Sequence, residues 1–388
     1  MNNNLQRRSS ISNGLFEYLL LFILLCFSGN PLFIELNGER NFIVLSFLVA
    51  AIAVFRARLN IFGDFIKYSI LFFFIYLYHL ARFQDAKITT ILFFTIKTFI
   101  GIGLFELIGK TFVEKYFNLM AVIAGVSLLG FAYNTFVGVL PSIELTDGRY
   151  SSVIYTQIYG EYFLRRNSGM FWEPGAFQGY VNLALLFSIF IKKQKLMLLK
   201  VLTLMAALLT TYSTTGYIAF AFVGLVYLYV NRKMNPLTKF FLGVVFVVIA
   251  LYAYRSLDFL EAKITENAGS DNGGRIAGYG DYFEKMSSYL FLGRSYIGQE
   301  STIYVGGNGF LGHLIYVGVV GVVYYYSVLL NRLRKQTKDV AFPIVFISFL
   351  IVIYQGEGFL THPFFLGIAY MSLEDINLVA PRRTRAPT

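Results

Sequence analysis

The sequence predicts an all-α polytopic membrane protein, and three observations carry that prediction. Of the 388 residues, 56% are hydrophobic and only 14% charged, whereas a soluble domain carries about a quarter charged residues. Apolar runs long enough for a helix to cross roughly 30 Å of hydrocarbon recur along the whole length, separated mostly by short polar breaks. These runs lack the apolar–polar alternation of a barrel, and backbone groups in lipid must satisfy one another, so a helical bundle follows.

About twelve spans are expected, in a single transmembrane domain over residues 1–388. The first, 14 to 28, follows Arg7 and Arg8 as in a signal peptide, but no A-x-A site comes after it. Leu25 also precedes Cys26 where a lipoprotein signal needs a small residue, so the segment reads as a retained span. Spans 41 to 55, 65 to 80, 89 to 108 and 118 to 140 lead to a first long polar segment, 141 to 172. Spans 176 to 191, 197 to 212, 216 to 230 and 238 to 254 lead to a second, 255 to 308, and spans 309 to 330, 341 to 356 and 362 to 379 complete the chain. The first, second and last are the weakest runs.

The net charge of +11 sits in the short breaks: Arg7 and Arg8; Arg56 and Arg58; Lys192, Lys193 and Lys195; Arg232 and Lys233; Arg332, Arg334 and Lys335; Arg382, Arg383 and Arg385. All of these fall on one side of the alternation, so the positive-inside rule makes that side, and both termini, cytoplasmic. The charge reads as topology and not as nucleic-acid binding. The single Cys26 excludes an internal disulfide and a Cys-based zinc site.

Both long polar segments then lie on the outer side. The second is rich in glycine, and stretches such as Asp281 to Leu292 predict short amphipathic helices lying on the bundle. The cytoplasmic connectors leave no room for a nucleotide-using domain. Gly109-Lys110-Thr111 ends like a phosphate-binding loop, but Leu104 occupies the position of its first glycine, so it reads as a helix end with a snorkelling lysine. His79, His313 and His362 are far apart, no acidic cluster has ligand spacing, and no HExxH or GxSxG occurs, so neither metal nor cofactor is expected.

Candidate chemistry concentrates in RRNSGMFWEPGAF, Arg165 to Phe177, where a polar and aromatic cluster opens the sixth span. Arg165 and Arg166 can anchor the span in lipid headgroups, or Arg166 can hold a pyrophosphate through its planar donor fork. Glu173 can cap the helix, orient Arg166 or accept a proton, and Trp172 can be an interfacial anchor or a sugar-stacking wall. In the second loop, Gly273-Gly274-Arg275 and Gly293-Arg294-Ser295 put arginines on flexible backbone. Gly306 to His313 enters the tenth span, where His313 can exchange a proton or simply be a hydrogen-bonded interfacial residue. Tyr212-Ser213-Thr214-Thr215-Gly216 forms a tight outer turn whose hydroxyls suit helix ends. Glu357 and His362 flank another turn, and Lys97, deep in the fourth span, needs a partner, with Glu17 and Glu106 as candidates.

The order of these features resembles the superfamily of Wzy-type O-antigen polymerases and WaaL-type O-antigen ligases. Arg166-Asn167-Ser168-Gly169-Met170-Phe171-Trp172-Glu173-Pro174 looks like the family's R-x-x-G-x-F-x-E-P signature at an outer loop-to-helix junction. Gly274-Arg275 with Leu292-Gly293 looks like its second-loop arginine and later glycine element. Asn308-Gly309-Phe310-Leu311, with Gly318 and Gly321, looks like the motif opening the next helix, and Ser213 to Gly216 fits its S-T-x-G turn.

The resemblance, over about residues 160 to 325, implies a GT-C-like glycosyltransferase of the bacterial inner membrane with a periplasmic active site. It implies an undecaprenyl-pyrophosphate-linked oligosaccharide as donor, inverting transfer without a metal, and a chain-length regulator as protein partner. On this reading Arg166 and Arg275 hold the pyrophosphate, Glu173 and His313 are catalytic candidates, and Arg165, Arg294, Trp172, Asn308, Tyr212 and His362 contact substrate. Ligases place a histidine immediately before the third motif's asparagine; here that residue is Gly307. Either His313 substitutes or the chain is a polymerase with another proton acceptor, Glu173 or His362. A ligase acting on lipid A core is the alternative, and a lipid-linked oligosaccharide transporter or flippase is the rival from another class. Transporters favour internally repeated halves and mid-bilayer charges; no repeat is visible, and Lys97 is the main mid-span charge.

Overall fold

The structure is a computed structural model that describes residues 2–36, 38–84, 86–145, 148–158, 166–192, 194–231, 234–244, 289–294, 308–338, 340–374 and 376, with side chains from Gly14 onward. Arg165, Arg275, most of the second long loop and the end of the 238 to 254 span lie outside the described residues. The described chain is an all-α, membrane-type bundle: α1 (Asn2–Gly29), α2 (Pro31–Glu35), α3 (Gly38–Phe55), α4 (Asn60–Arg82), α5 (Ile88–Ile108), α6 (Phe112–Phe136), α7 (Pro174–Phe190), α8 (Met197–Leu209), α9 (Thr214–Val230), α10 (Gly309–Thr337), α11 (Ala341–Tyr354) and α12 (Pro363–Gly367). Residues 236–244 are also helical.

Four stretches are long and apolar enough to cross a membrane: Gly38–Phe55, Asn60–Arg82, Ile88–Phe136 and Gly309–Thr337. The third is not one rod, because Gly109 at φ 70° breaks it into α5 and α6, and both pack on α1. Phe47, Phe55, Leu129 and Leu198 are more than seven-tenths exposed, part of apolar faces on α3, α6 and α8 that only a hydrocarbon solvent would cover. The shorter apolar helices α7, α8, α9 and α11 have 17, 13, 17 and 14 residues. At about 1.5 Å per residue they fall short of a roughly 30 Å hydrocarbon layer.

Two expectations differ from what the chain does. The first long loop carries a small antiparallel sheet in the order β1 (Ile143–Glu144), β2 (Arg149–Ser151), β3 (Thr156–Ile158), with Arg149 opposite Ile158. The described part of the 362 to 379 run, residues 362–374, is not one continuous helix: His362 is extended before Pro363, α12 lasts five residues, and a 3-10 turn at Ile368–Tyr370 ends in extended chain. A proline disfavours helix in the residue before it and lacks the N–H a continuing helix needs. This segment instead plugs the bundle, with Pro363 and Gly367 against the α5 backbone at Gly101.

The helix that organises the rest is α7. Every residue from Pro174 to Phe187 is buried, and α6, α8 and α9 pack around it. A helix apolar on all sides belongs in a core, and here only Gln178 and Asn182 interrupt it with amides. The Tyr180 hydroxyl donates to the Ser28 carbonyl (2.8 Å), and the Ser28 hydroxyl accepts from the Phe364 N–H (2.8 Å), tying α7, α1 and α12 together.

Gly318, at φ 64°, kinks α10. A kink frees peptide groups that lipid cannot satisfy. Segment 289–294 satisfies them: Val319 N–H donates to the Leu290 carbonyl (2.9 Å), Val320 N–H to Phe291 (3.0 Å), and Arg294 N–H to Ile315 (2.6 Å). A Cβ on Gly101 would collide with the Pro363 carbonyl, whereas one on Gly63 would meet nothing within 4 Å. Gly101→Ala is therefore expected to destabilise by about 1–3 kcal/mol. Thermal melts in detergent check this, with Gly63→Ala melting no lower than the parent.

Candidate functional site

The site builds outward from the first turn of α7. Glu173 is the extended residue before the helix and Pro174 its first helical residue, where proline's missing N–H costs nothing. The chain reaches that point through a tight turn at Gly169, φ 55°, whose N–H donates to the Asn167 side chain (2.9 Å). Asn167 is itself buried, donating from its backbone to the Thr210 carbonyl (2.9 Å) and from its amide to Ser127 (3.1 Å) and Thr210 (2.9 Å). These bonds hold the junction against α6 and the end of α8.

Arg166 is half-buried beside this turn, and its Nε donates to the Thr211 carbonyl at 3.0 Å. Tyr212 follows with φ 47°, a conformation strained for a residue with a side chain. Ser213 caps α9, its hydroxyl accepting from Gly216 N–H (3.4 Å), so the hydroxyl-rich turn does satisfy a helix end. Trp172 lies over the His362 ring, 4.5 Å between centroids and 17° between planes. Its indole N–H donates to Glu173 (3.3 Å), and its carbonyl accepts from Arg149 (3.1 Å), which is ion-paired with Glu35. Glu173 makes no side-chain capping bond to α7.

The residue that sequence reasoning left outside the site is Glu357. It is 7% exposed, and its carboxylate packs against Gly175 so closely that a Cβ there would collide with it. The N-terminal end of a helix favours such an anion. The signal was Gly356-Glu357-Gly358, a carboxylate on a glycine-flanked turn, together with Gly175 directly after the motif's proline. Asn308 caps α10, accepting from Phe310 and Leu311 N–H (3.1 Å each), and its amide donates to Gln355 (2.8 Å). Gly309 lies against the Glu357 backbone, Gly356 against Thr215, and Gly216 against Gln178.

Four segments remote in sequence, 166–178, 210–216, 308–313 and 355–362, thus form one polar head at the start of α7. Within it Arg166 meets Thr211 next to Tyr212, Trp172 meets Glu173 and His362, and Asn308 meets Gln355, while His313 lies one turn farther into α10 on the cavity wall. Arg294 sits instead on the α4 flank of α10, its guanidinium over Phe83 (5.4 Å) and Tyr289 (5.5 Å). Beside the head is a cavity of about 490 Å³ whose walls include Lys97, Asn308, His313 and Glu357. His313 is 2% exposed, and its Nε2 has no hydrogen-bond partner among the described residues. The same described residues hold no group of three side chains able to bind a metal ion.

Lys97 does not pair with Glu17 or Glu106. Those acids lie toward the other end of the bundle, where Glu17 pairs with Lys115 (2.6 Å) and Glu106 with Arg332 (3.7 Å). On a helix rising about 1.5 Å per residue, Glu106 is roughly 13 Å along α5 from Lys97.

Burial, helped by the nearby Lys97 charge, pushes the His362 imidazole down from its ordinary 6.5 to about 3. The ring is neutral at neutral pH, and so weak a base suits a stacking or hydrogen-bonding role better than proton abstraction. Its folded value lies below the unfolded one, so its contribution to stability is complete above about pH 6.5 and lost as pH falls toward 3. The melting temperature is expected to drop between pH 6.5 and pH 4, and His362→Phe to flatten that drop, as read from melts across pH in detergent.

Comparison of the chain with protein families, with curated proteins and with solved structures finds no match.

Proposed function

We propose that this chain is a Wzy-type O-antigen polymerase, joining oligosaccharide repeat units carried on undecaprenyl pyrophosphate at the periplasmic face of the inner membrane. One observation carries the reading. The R-x-x-G-x-F-x-E-P junction, the S-T-T-G turn and the N-G-F-L helix start, the first and last of them separated by 133 residues of sequence, meet at the head of α7. Four of the helices that begin or end at this head, α7, α8, α9 and α11, are shorter than a span, so in a bilayer the head would be recessed within one leaflet, where a lipid carrier's phosphates and a sugar both have access. A GT-C type of architecture suits that placement, with the basic connectors on the cytoplasmic side.

In this mechanism the guanidinium of Arg166, oriented by the Thr211 carbonyl, binds donor pyrophosphate oxygens, and Arg275 supplies a second cation. An acceptor hydroxyl attacks the anomeric carbon on the face opposite the pyrophosphate. The anomeric C–O bond breaks, and both electrons leave with undecaprenyl pyrophosphate, whose growing charge the arginines stabilise. The hydroxyl proton passes to Glu173, whose carboxylate the Trp172 indole holds at the junction. Trp172 and His362 offer a stacked aromatic wall for the sugar.

Deleting the gene tests the assignment. A polymerase loss leaves lipopolysaccharide capped with one repeat unit, a ligase loss leaves bare core, and a ladder of normal length overturns both. Purified protein given lipid-linked repeat units should make longer products, whereas movement across the bilayer without longer product indicates transport. Arg166→Lys retains the charge but loses the fork. Polymerisation is expected to fall at least about tenfold at unchanged expression, corresponding to about 1.4 kcal/mol of transition-state stabilisation; near-normal product would return Arg166 to a headgroup anchor.

A further inference from the structure

Lys97 is the charge that the proposed mechanism leaves unused. It lies nine residues into α5, roughly 13 Å from the start of the helix. Both acids available to it by sequence are committed elsewhere, and it makes no ion pair among the described residues. Its ammonium lies over the Phe42 ring at 5.0 Å and borders the 490 Å³ cavity beside the α7 head. A cation within a span is costly unless it meets water or an anion. The acid lining the same cavity, Glu357, is directed at the first turn of α7.

The remaining walls describe what the cavity can take. His313 lines it with its ring, while its Nε2 is fully buried and has no partner among the described residues. Around it, Tyr76, Phe93, Phe94, Tyr316 and Leu360 make most of the lining apolar. One cation on an aromatic wall matches an anionic headgroup that continues into a hydrocarbon chain. The volume is in the range of small-molecule sites and holds a headgroup with the first part of a chain, not a whole glycan.

The geometry points to this cavity as a binding site for a phosphate-bearing amphiphile, with Lys97 on the phosphate and the aromatic wall, the His313 ring included, along the chain. Where that amphiphile is the polyprenyl pyrophosphate carrier, the site deepens the polymerase reading and rests on it. Where it is a membrane phospholipid, the site stands without that reading.

The chain's single tryptophan, Trp172, stacks on His362 and neighbours the Thr361 wall of the cavity, so its fluorescence reports occupancy. Full-length protein in detergent is titrated with undecaprenyl pyrophosphate, with phosphatidylglycerol and with inorganic pyrophosphate, using the parent, Lys97→Met and Lys97→Arg. Expected is saturable binding of a lipid phosphate that weakens at least about tenfold in Lys97→Met and is largely kept in Lys97→Arg. Dependence on Lys97 for undecaprenyl pyrophosphate alone supports the carrier as occupant. The same dependence for phosphatidylglycerol alone supports the amphiphile site and removes its link to polymerisation. Equal affinity of parent and Lys97→Met for both lipids, with all variants monodisperse and melting alike, overturns the proposal. So does inorganic pyrophosphate binding as tightly as either lipid, because the chain would then contribute nothing. Failure of the parent protein to lengthen lipid-linked repeat units while it binds lipid in this Lys97-dependent way would count against the enzyme reading and not against this site.

Discussion

The interaction on which the structure depends is the complete enclosure of α7. A helix buried on every side from Pro174 to Phe187 can be approached closely only where it or its neighbours lack side chains. Gly175 admits the Glu357 carboxylate, Gly179 admits the Phe359 ring, and Gly216 of α9 admits Gln178. Without hydrophobic attraction between helices in lipid, such close packing is the main source of association. The glycines therefore set both the stability of the bundle and the position of the residues gathered at its head.

The same enclosure makes the polar groups at the head expensive to misplace. Asn167, Gln178, Asn182, Asn308 and Glu357 are all buried, and each unsatisfied bond in such surroundings costs on the order of 1–3 kcal/mol. Most of them meet backbone or amide partners, as when Asn182 donates to Gln178 (3.1 Å) and to the Gly216 carbonyl (3.0 Å). Gln178 Nε2 and Asn182 Oδ1, inside the bundle, have no further partner among the described residues, and neither does Nε2 of His313.

At the opposite end of the bundle the charges are paired. Asp64 and Glu106 share Arg332, which lies over the Tyr370 ring at 3.5 Å, and Lys110 meets Glu374 (3.0 Å). These pairs brace α4, α5, α10 and the 3-10 turn after α12, and Glu106, Arg332 and Glu374 line a second cavity of about 380 Å³ with their charges already paired. The contrast singles out Lys97, which shares α5 with Glu106 but sits too far along the axis to reach it.

Hydrophobic runs and basic breaks were sufficient to read a helical membrane protein, because helix period and the cost of exposing backbone in lipid act locally along the chain. The RxxGxFxEP junction was legible for the same reason: polar residues at the mouth of an apolar run, with a proline at the helix start. The segment entering at His362 has the apolar content of a span, and only the backbone contact of Pro363 and Gly367 with Gly101 explains why it turns. Glu357 was seen as a turn residue but not as the partner of α7, and Lys97 was given the wrong partners, because these relations link segments some 180 and 260 residues apart by side-chain clearance alone. Sequence by itself determined which segments are apolar helix and which residue types stand at their ends. Tertiary structure alone decided which ends meet and which charge is left facing a cavity, since both depend on distances between helices that no local pattern encodes.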